Sequence, residues 1–128
     1  MKKIALEGPI NKCSDSECKD WRASVISKIG SDFMFHNPMD FDCRGRETEL
    51  EGDLVKFDTE GMKSSDIILV MAERPGWGTA MAVQMCHDWG KTIVSVFSGD
   101  SPSPWLKNRS THMVKSLDEA VALIRGMR

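Results

Sequence analysis

The feature that most constrains the fold is an apolar run that leads into a glycine-rich turn and then into a helical pattern. Five apolar residues, Ile67 to Met71, are followed by Pro75-Gly76-Trp77-Gly78, and the helical pattern begins near Thr79. A buried strand followed by a tight turn and a helix is typical of a parallel sheet that helices cover on both faces. Ligands of such sheets bind where strands end and helices begin, because free helix amides favour anions.

The rest of the chain alternates between strand and helix signals. Strands are expected at residues 3–7, 33–36, 66–71, 92–97 and 112–115, and helices from a cap at Ser14 or Asp15 to residue 29 and at 49–65, 79–89 and 116–127. Residues 105–108 are ambiguous. Right-handed crossovers between such elements predict an α/β, flavodoxin-like three-layer fold with a parallel five-stranded sheet in the order 2-1-3-4-5. The turns at 7–9 and 76–79 then converge on one crevice.

Composition limits the size and the partners of the chain. Its 128 residues suit a single domain with one core, and a net charge of −2 gives no basic surface for a nucleic-acid polymer. No apolar run is long enough for a membrane span, and Glu7-Gly8-Pro9 ends the first apolar stretch too early for a signal peptide. The four cysteines lack the spacing of a zinc site, and we expect neither a metal nor a cofactor. We expect the thiols to be free in a reducing compartment, and the protein to be cytoplasmic.

Four segments agree in order and spacing with those of one known family. They are Ile4 to Ile10, Phe57 to Asp66, Trp77-Gly78-Thr79-Ala80-Met81 and Gly90 to Val94. Over most of the chain the sequence thereby resembles the nucleoside 2-deoxyribosyltransferase family, which includes related nucleoside 5′-monophosphate N-glycosidases. The resemblance implies cleavage of the N-glycosidic bond of a nucleoside 5′-monophosphate or a 2′-deoxynucleoside, by hydrolysis or by deoxyribosyl transfer.

Position 82 departs from the pattern of that family. Its members carry Gly-Thr-x-x-Glu after the third strand, and the Glu is the catalytic nucleophile. Gly78 and Thr79 match, but Ala82 stands in place of the Glu. Since alanine cannot attack the sugar or stabilise its charge, the resemblance implies a form that binds substrate without cleaving it. Ala82 could be engineered or could mark a natural binding-only relative. Otherwise the register of the match at this turn is wrong, or another acid, Glu7 or Glu73, substitutes. A solvated loop charge is the favoured interpretation of both acids.

The remaining candidate residues surround the two turns and the loop after the second strand. Asp58 matches a family acid that contacts the sugar or the base, so the resemblance makes it the second catalytic candidate. The expected substrate-binding residues are Gly8, Pro9, Asn11, Gly76, Trp77, Gly78, Thr79 and Phe41. Turn amides could hold a phosphate, which slightly favours a nucleotide over a nucleoside. The expected partners are this small molecule and, because relatives are dimers or larger, further copies of the chain; the alternative function is a non-catalytic nucleotide-binding module.

Overall fold

A computed structural model describes residues 1–128 and shows five strands in a single sheet. The strands are β1 Lys3–Glu7, β2 Met34–His36, β3 Ile67–Met71, β4 Thr92–Val96 and β5 His112–Val114. Their order is β2-β1-β3-β4-β5, and every neighbouring pair is parallel. The predicted flavodoxin-like fold and strand order are therefore confirmed.

Helices connect the strands and cover both faces of the sheet. They are α1 Trp21–Ile29, α2 Glu47–Lys63, α3 Trp77–Asp88, α4 Pro104–Arg109 and α5 Leu117–Arg125. A π-helical turn, Ser16–Asp20, leads into α1, and 3₁₀ turns occupy Gly30–Asp32 and Pro38–Phe41. None of the helices combines the length and the apolar character that crossing a membrane requires.

A serine and a glutamate three residues later cap two helix starts. The Ser14 hydroxyl accepts a hydrogen bond from the Glu17 amide at 3.2 Å, and the Glu17 carboxylate accepts one from the Ser14 amide at 2.9 Å. Such a reciprocal pair satisfies two amides that the helix leaves free. The Ser116 hydroxyl likewise accepts from the Glu119 amide at 3.1 Å, while the Glu119 carboxylate accepts from the Lys115 amide at 2.9 Å.

The sheet separates two apolar layers. Ile4 and Leu6 belong to a cluster of 12 buried residues beneath α1 and α5, whereas Ala5 belongs to a cluster of eight beneath α2 and α3. Because successive side chains of a strand point to opposite faces, Glu7 follows Ala5 onto the face of α2 and α3. The end of β1 thus carries a carboxyl group into an apolar layer.

Candidate functional site

The turns after β1 and β3 meet at the carboxyl edge of the sheet. Gly8 packs so closely that a Cβ there would lie 3.1 Å from the Cβ of Met71 and 3.1 Å from the ring of Trp21. A Cβ at Gly76 would lie 3.7 Å from the ring of Pro9. Three of the expected binding residues, Gly8, Pro9 and Gly76, are therefore brought together where the two turns touch.

Arg74 ties the second turn to the first. Its guanidinium donates to the carboxylate of Glu17 at 3.0 Å and to the carbonyl of Lys12 at 3.3 Å. Lys12 has a φ of 62°, which lies in the left-handed region. The crevice between the turns consequently has a cation held at its edge.

A cavity of about 580 Å³ opens beside the second turn. Its walls come from the ends of β3 and β4, from α3 and from α4, and they combine aromatic rings with polar groups: Trp77, Phe97, Trp105, Thr79, Gln84 and Arg109. The Arg109 guanidinium donates to the side chain of Gln84 at 2.9 Å and lies 6.0 Å from the ring centroid of Trp105. The size and the lining suit a small organic ligand with an aromatic portion.

The first turn of α3 borders this cavity and has free amide groups. The helix begins at Trp77, two residues before the predicted start at Thr79, because the Ala80 amide donates to the Gly76 carbonyl at 3.0 Å and closes a turn there. Gly76 precedes the helix in an extended conformation, and no side chain caps it. The amides of Trp77, Gly78 and Thr79 are thus available to an anion.

A second group of side chains, the Glu7–His36–Asp58 cluster, lies at the ends of β1 and β2 against α2. The Nε2 atom of His36 lies 2.7 Å from Oδ1 of Asp58. One nitrogen or oxygen from each of the three residues lies within 4.8 Å of the others. Gly61 of α2 makes room for the imidazole, because a Cβ there would lie 2.1 Å from ring atoms of His36.

Burial and mutual charge set the ionisation of this cluster. Burial, followed by the negative charge of Asp58, raises the pKa of Glu7 well above its ordinary value. Burial also opposes ionisation of Asp58, but the hydrogen bond with His36 and the charge of Arg22 help to outweigh it, and the pKa of Asp58 is lowered. The interpretation of Glu7 as a solvated loop charge is wrong, since only 3% of the residue is exposed.

Arg22 lies next to the cluster as a buried cation. Its guanidinium donates to the main-chain carbonyls of Leu6, Gly8 and Cys18 at 3.1, 3.0 and 2.6 Å. These bonds fix the turn after β1 against α1. Burial lowers the pKa of Arg22, and the charge of Glu7 acts in the opposite direction.

Phe41 and Asn11 border a separate, smaller pocket of about 100 Å³. The ring of Phe41 meets that of Phe57 edge-on with centroids 5.4 Å apart, and Phe57 lies 5.2 Å from the ring of His36. The 3₁₀ turn after β2 therefore connects, through Phe57, to the Glu7–His36–Asp58 cluster.

Ala82 lies in the apolar layer between α3 and the sheet. The residue is 4% exposed and belongs to the same buried cluster as Ala5 and Cys86, and it borders neither pocket. Cys86, one helical turn further, has its pKa raised to about 12, first by burial and then by the charges of Glu7 and Asp58. This face of α3 is therefore the one that lies nearest the carboxyl groups.

The expected site residues are distributed over three places on one edge of the fold. Gly76, Trp77 and Thr79 border the large cavity, Asn11 and Phe41 border the small pocket, and Asp58 lies in the buried cluster. A Cβ at Gly78 would meet no atom within 4 Å. The other acid considered, Glu73, accepts hydrogen bonds from the amide and hydroxyl of Ser98 and so holds the loop after β4.

Sequence reasoning missed His36 and the clustering of Glu7 with it, although a usable signal exists. Both are polar residues that end apolar strands, and the expected strand order places β1 beside β2. In a parallel sheet those two ends lie at the same edge. The absence of a metal, which the sequence favours, stays a prediction, but these three side chains bring candidate ligand atoms within 4.8 Å of one another.

Several solved structures resemble the chain along nearly its whole length. A conserved protein from Enterococcus faecalis has a TM-score of 0.72 at 13% identity, with 100% of this chain and 99% of that chain covered. A 2-deoxyribosyltransferase from Bacillus psychrosaccharolyticus has a TM-score of 0.73 at 16% identity, with coverages of 93% and 90%. The CMP N-glycosidase of Clostridium botulinum has a TM-score of 0.62 at 13% identity, with coverages of 96% and 98%.

No protein-family model matches the sequence, and no curated protein matches it. At identities of 13% to 16% the likeness to solved structures establishes the fold alone.

Proposed function

We propose that the chain is a nucleoside 2-deoxyribosyltransferase-like protein, built for the N-glycosidic bond of a nucleoside 5′-monophosphate or a 2′-deoxynucleoside. One agreement carries the proposal. The chain shares its fold with a 2-deoxyribosyltransferase and a CMP N-glycosidase over 93% and 96% of its length, and it keeps Gly78-Thr79 in the first turn of the helix after the third strand. Asp58 and position 82 are the two catalytic positions of the proposal.

Cleavage of an N-glycosidic bond develops positive charge on the sugar. A carboxylate beneath the anomeric carbon can attack that carbon or stabilise the charge, after which water or a second base completes the reaction. Ala82 supplies neither function, so in this form the protein binds substrate and does not turn it over at a substantial rate. Of the two possible reactions, hydrolysis and deoxyribosyl transfer, we favour hydrolysis.

Asp58 is suited to hold the sugar. Its hydrogen bond with His36 and its lowered pKa keep the carboxylate ionised, and 26% of its side chain is exposed. An ionised carboxylate is an acceptor only, with sites for more than one hydroxyl donor. Asp58 can therefore accept hydrogen bonds from sugar hydroxyls while His36 holds it in place.

At the carboxyl edge of the sheet we favour a nucleotide over an uncharged nucleoside. The free amides of Trp77, Gly78 and Thr79 can bind a phosphate, and the positive end of the α3 dipole adds to the attraction. Arg74 lines the same cavity and supplies a cation there, paired with Glu17 at 3.0 Å. The aromatic rings of the adjacent cavity offer stacking surface for a base.

The experiment that tests the proposal restores the missing carboxylate. The Ala82→Glu protein is incubated with ribo- and deoxynucleosides and their 5′-monophosphates, and free base is followed by chromatography. We expect base release from at least one compound, and none from Ala82→Gln, which has nearly the same shape without the charge. Release that is equal in both variants would show that the carboxylate is not the missing group.

A non-catalytic nucleotide-binding module is the second candidate, and the burial of Ala82 favours it. The residue is 4% exposed among apolar neighbours, where an ionised glutamate would be costly. Under this alternative Ala82→Glu stays silent although it folds and still binds a nucleotide. Circular dichroism and calorimetric titration of the same variant separate silence from misfolding.

We further propose that the chain forms a homodimer or a larger homo-oligomer. Trp77, Met81 and Trp105 are 86%, 62% and 74% exposed around the mouth of the large cavity. Large apolar side chains grouped in this way mark contact surfaces. Light scattering should report an oligomer that Trp105→Ser weakens, and a monomeric native protein would contradict this.

The four cysteines are all free, which agrees with a reducing compartment such as the cytoplasm. We expect labelled protein in a cell to appear there. A disulfide-linked or exported form would contradict the assignment.

A further inference from the structure

The Glu7–His36–Asp58 cluster has the composition of a metal site. It contains one imidazole and two carboxyl groups, drawn from β1, β2 and α2, and one candidate ligand atom of each lies within 4.8 Å of the others. Elements distant in sequence thus bring three different side chains to one point. We propose that Glu7, His36 and Asp58 bind a divalent transition-metal cation such as Zn²⁺.

A buried oxygen without a partner points to the same site. The Oε2 atom of Glu7 is buried and has no hydrogen-bond partner, and the residue is 3% exposed. Buried polar atoms in folded proteins nearly always have a partner, so an orphan is a sign of a missing water or ion. A cation between the three side chains would give this oxygen the partner that the protein itself does not provide.

The geometry is close to that of a bound ion. Zinc takes imidazole nitrogen and carboxylate oxygen at about 2.0–2.2 Å, which places its ligand atoms roughly 3.4 Å apart. The imidazole of His36 and Asp58 are already 2.7 Å apart, and the widest separation in the cluster is within 4.8 Å. Side-chain adjustments of about 1 Å would complete a site of this size.

The ligand set also leaves room for exchange. Asp58 is the most exposed member, with 26% of its side chain accessible, whereas Glu7 and His36 are buried. An ion could therefore enter past Asp58 and keep a water there, as zinc sites with three protein ligands do. The mixture of one nitrogen and two oxygens favours Zn²⁺ or Mn²⁺ over the thiol-seeking ions.

Arg22 is the one nearby cation that opposes binding. All three of its hydrogen bonds go to main-chain carbonyls, so its charge is anchored to the turn after β1 and the carboxyl groups of Glu7 and Asp58 keep their lone pairs. Asp58 supplies one negative charge, and a metal ion competes with the proton for the carboxyl group of Glu7, so binding would release that proton.

The test is calorimetric titration of the chelator-treated full chain with ZnCl₂ and, separately, with MnCl₂. We expect one ion to bind per chain, and Glu7→Gln and His36→Gln each to weaken binding by at least about tenfold. Glu60→Gln and His87→Gln are matched controls, because both residues are exposed and lie outside the cluster. Their affinities should equal that of the native chain.

The visible absorption spectrum of bound Co²⁺ gives a second readout, which does not depend on the heat of binding. Substitution with Co²⁺ should produce visible absorption bands that Glu7→Gln alters and Glu60→Gln does not. A native chain that binds neither zinc nor manganese, or a folded Glu7→Gln protein that binds within twofold of native, would overturn the proposal. Base release is assayed in chelator, so a failure of the glycosidic proposal and a failure of the metal site remain separate results.

Discussion

The contact between Gly61 and His36 makes a sharp prediction about the buried cluster. A Cβ at position 61 would lie 2.1 Å from Cε1 and Nδ1 of His36 and 2.4 Å from Cγ. Non-bonded carbon atoms prefer a separation of about 3.5–4.0 Å. The ring must therefore move by more than about 1 Å in Gly61→Ala, and the 2.7 Å hydrogen bond to Asp58 cannot survive the movement.

The cost has two parts. Overpacking in a tight interior costs about 1–3 kcal/mol, and losing a hydrogen bond to a charged group costs about 1.5–3 kcal/mol. Partial relaxation of β2 lowers the sum, so we expect the free energy of unfolding to fall by about 2–4 kcal/mol. Alanine is also a better helix former than glycine by about 0.5–1 kcal/mol, and the expected loss of stability already includes this gain.

Gly52 provides the matched control on the same helix. A Cβ there would meet no atom within 4 Å, so Gly52→Ala should raise stability by about 0.5–1 kcal/mol. Urea unfolding followed by circular dichroism measures both variants. If Gly61→Ala is as stable as Gly52→Ala, the imidazole does not occupy the space beside α2 and the cluster is not formed as described.

Four further predictions concern buried or capping groups. Arg22→Met should lower the free energy of unfolding by about 3 kcal/mol or more, because two buried carbonyls and one half-buried carbonyl lose a charged donor. The exposed Arg125→Met should change it by less than about 0.5 kcal/mol in the same urea assay. At pH 8, iodoacetamide and mass spectrometry should find partly exposed Cys13 modified and buried Cys86 intact. The pKa of the Cys86 thiol is raised from 9.0 to about 12, so between these pH values the native state keeps a proton that the unfolded chain loses. The free energy of unfolding should therefore fall as pH rises from about 9 to about 12, and it should fall less in Cys86→Ser. Ser116→Ala should cost about 1 kcal/mol of unfolding free energy, and an unchanged value would show that the α5 cap is not formed.

The elements that the sequence predicts best are those with a local signal. The run at 67–71 is apolar throughout and is flanked by turn residues, and β3 occupies Ile67–Met71. Ser14 and Ser116 each precede a glutamate at capping-box spacing, and both caps form. Once these elements alternate, the handedness of crossovers restricts the sheet to few orders.

The beginning of α3 differs from the one that the sequence predicts, and α4 covers a segment that the sequence leaves ambiguous. The residues at 105–108 lie within α4, which begins at Pro104 after the Ser103 hydroxyl accepts from the Leu106 amide at 3.4 Å. Serine followed by proline is a recognised helix start. Because glycine lowers helix propensity, Gly78 favours a predicted helix start after it, at Thr79. The helix in fact includes Gly78 and begins at Trp77.

The buried cluster could not be predicted from any local pattern. Glu7 is separated from Asp58 by 51 positions, and its burial results from α2 packing across the ends of β1 and β2. Glycine lowers helix propensity, yet the missing side chain of Gly61 is what makes room for the ring of His36 beside α2. The cluster therefore depends on contacts between elements that are distant in the sequence, whereas the helices and strands themselves can be predicted from local patterns.

Binding of a nucleotide by the native chain tests the central claim most directly, because it does not depend on restoring catalysis. Isothermal titration calorimetry of the native protein with CMP and the other nucleoside 5′-monophosphates, ribo and deoxy, should show binding of at least one of them. Asp58→Asn should weaken that binding about tenfold or more, since a charge-assisted acceptor is lost. Absence of binding across the panel, or an affinity that Asp58→Asn leaves unchanged, would contradict the account.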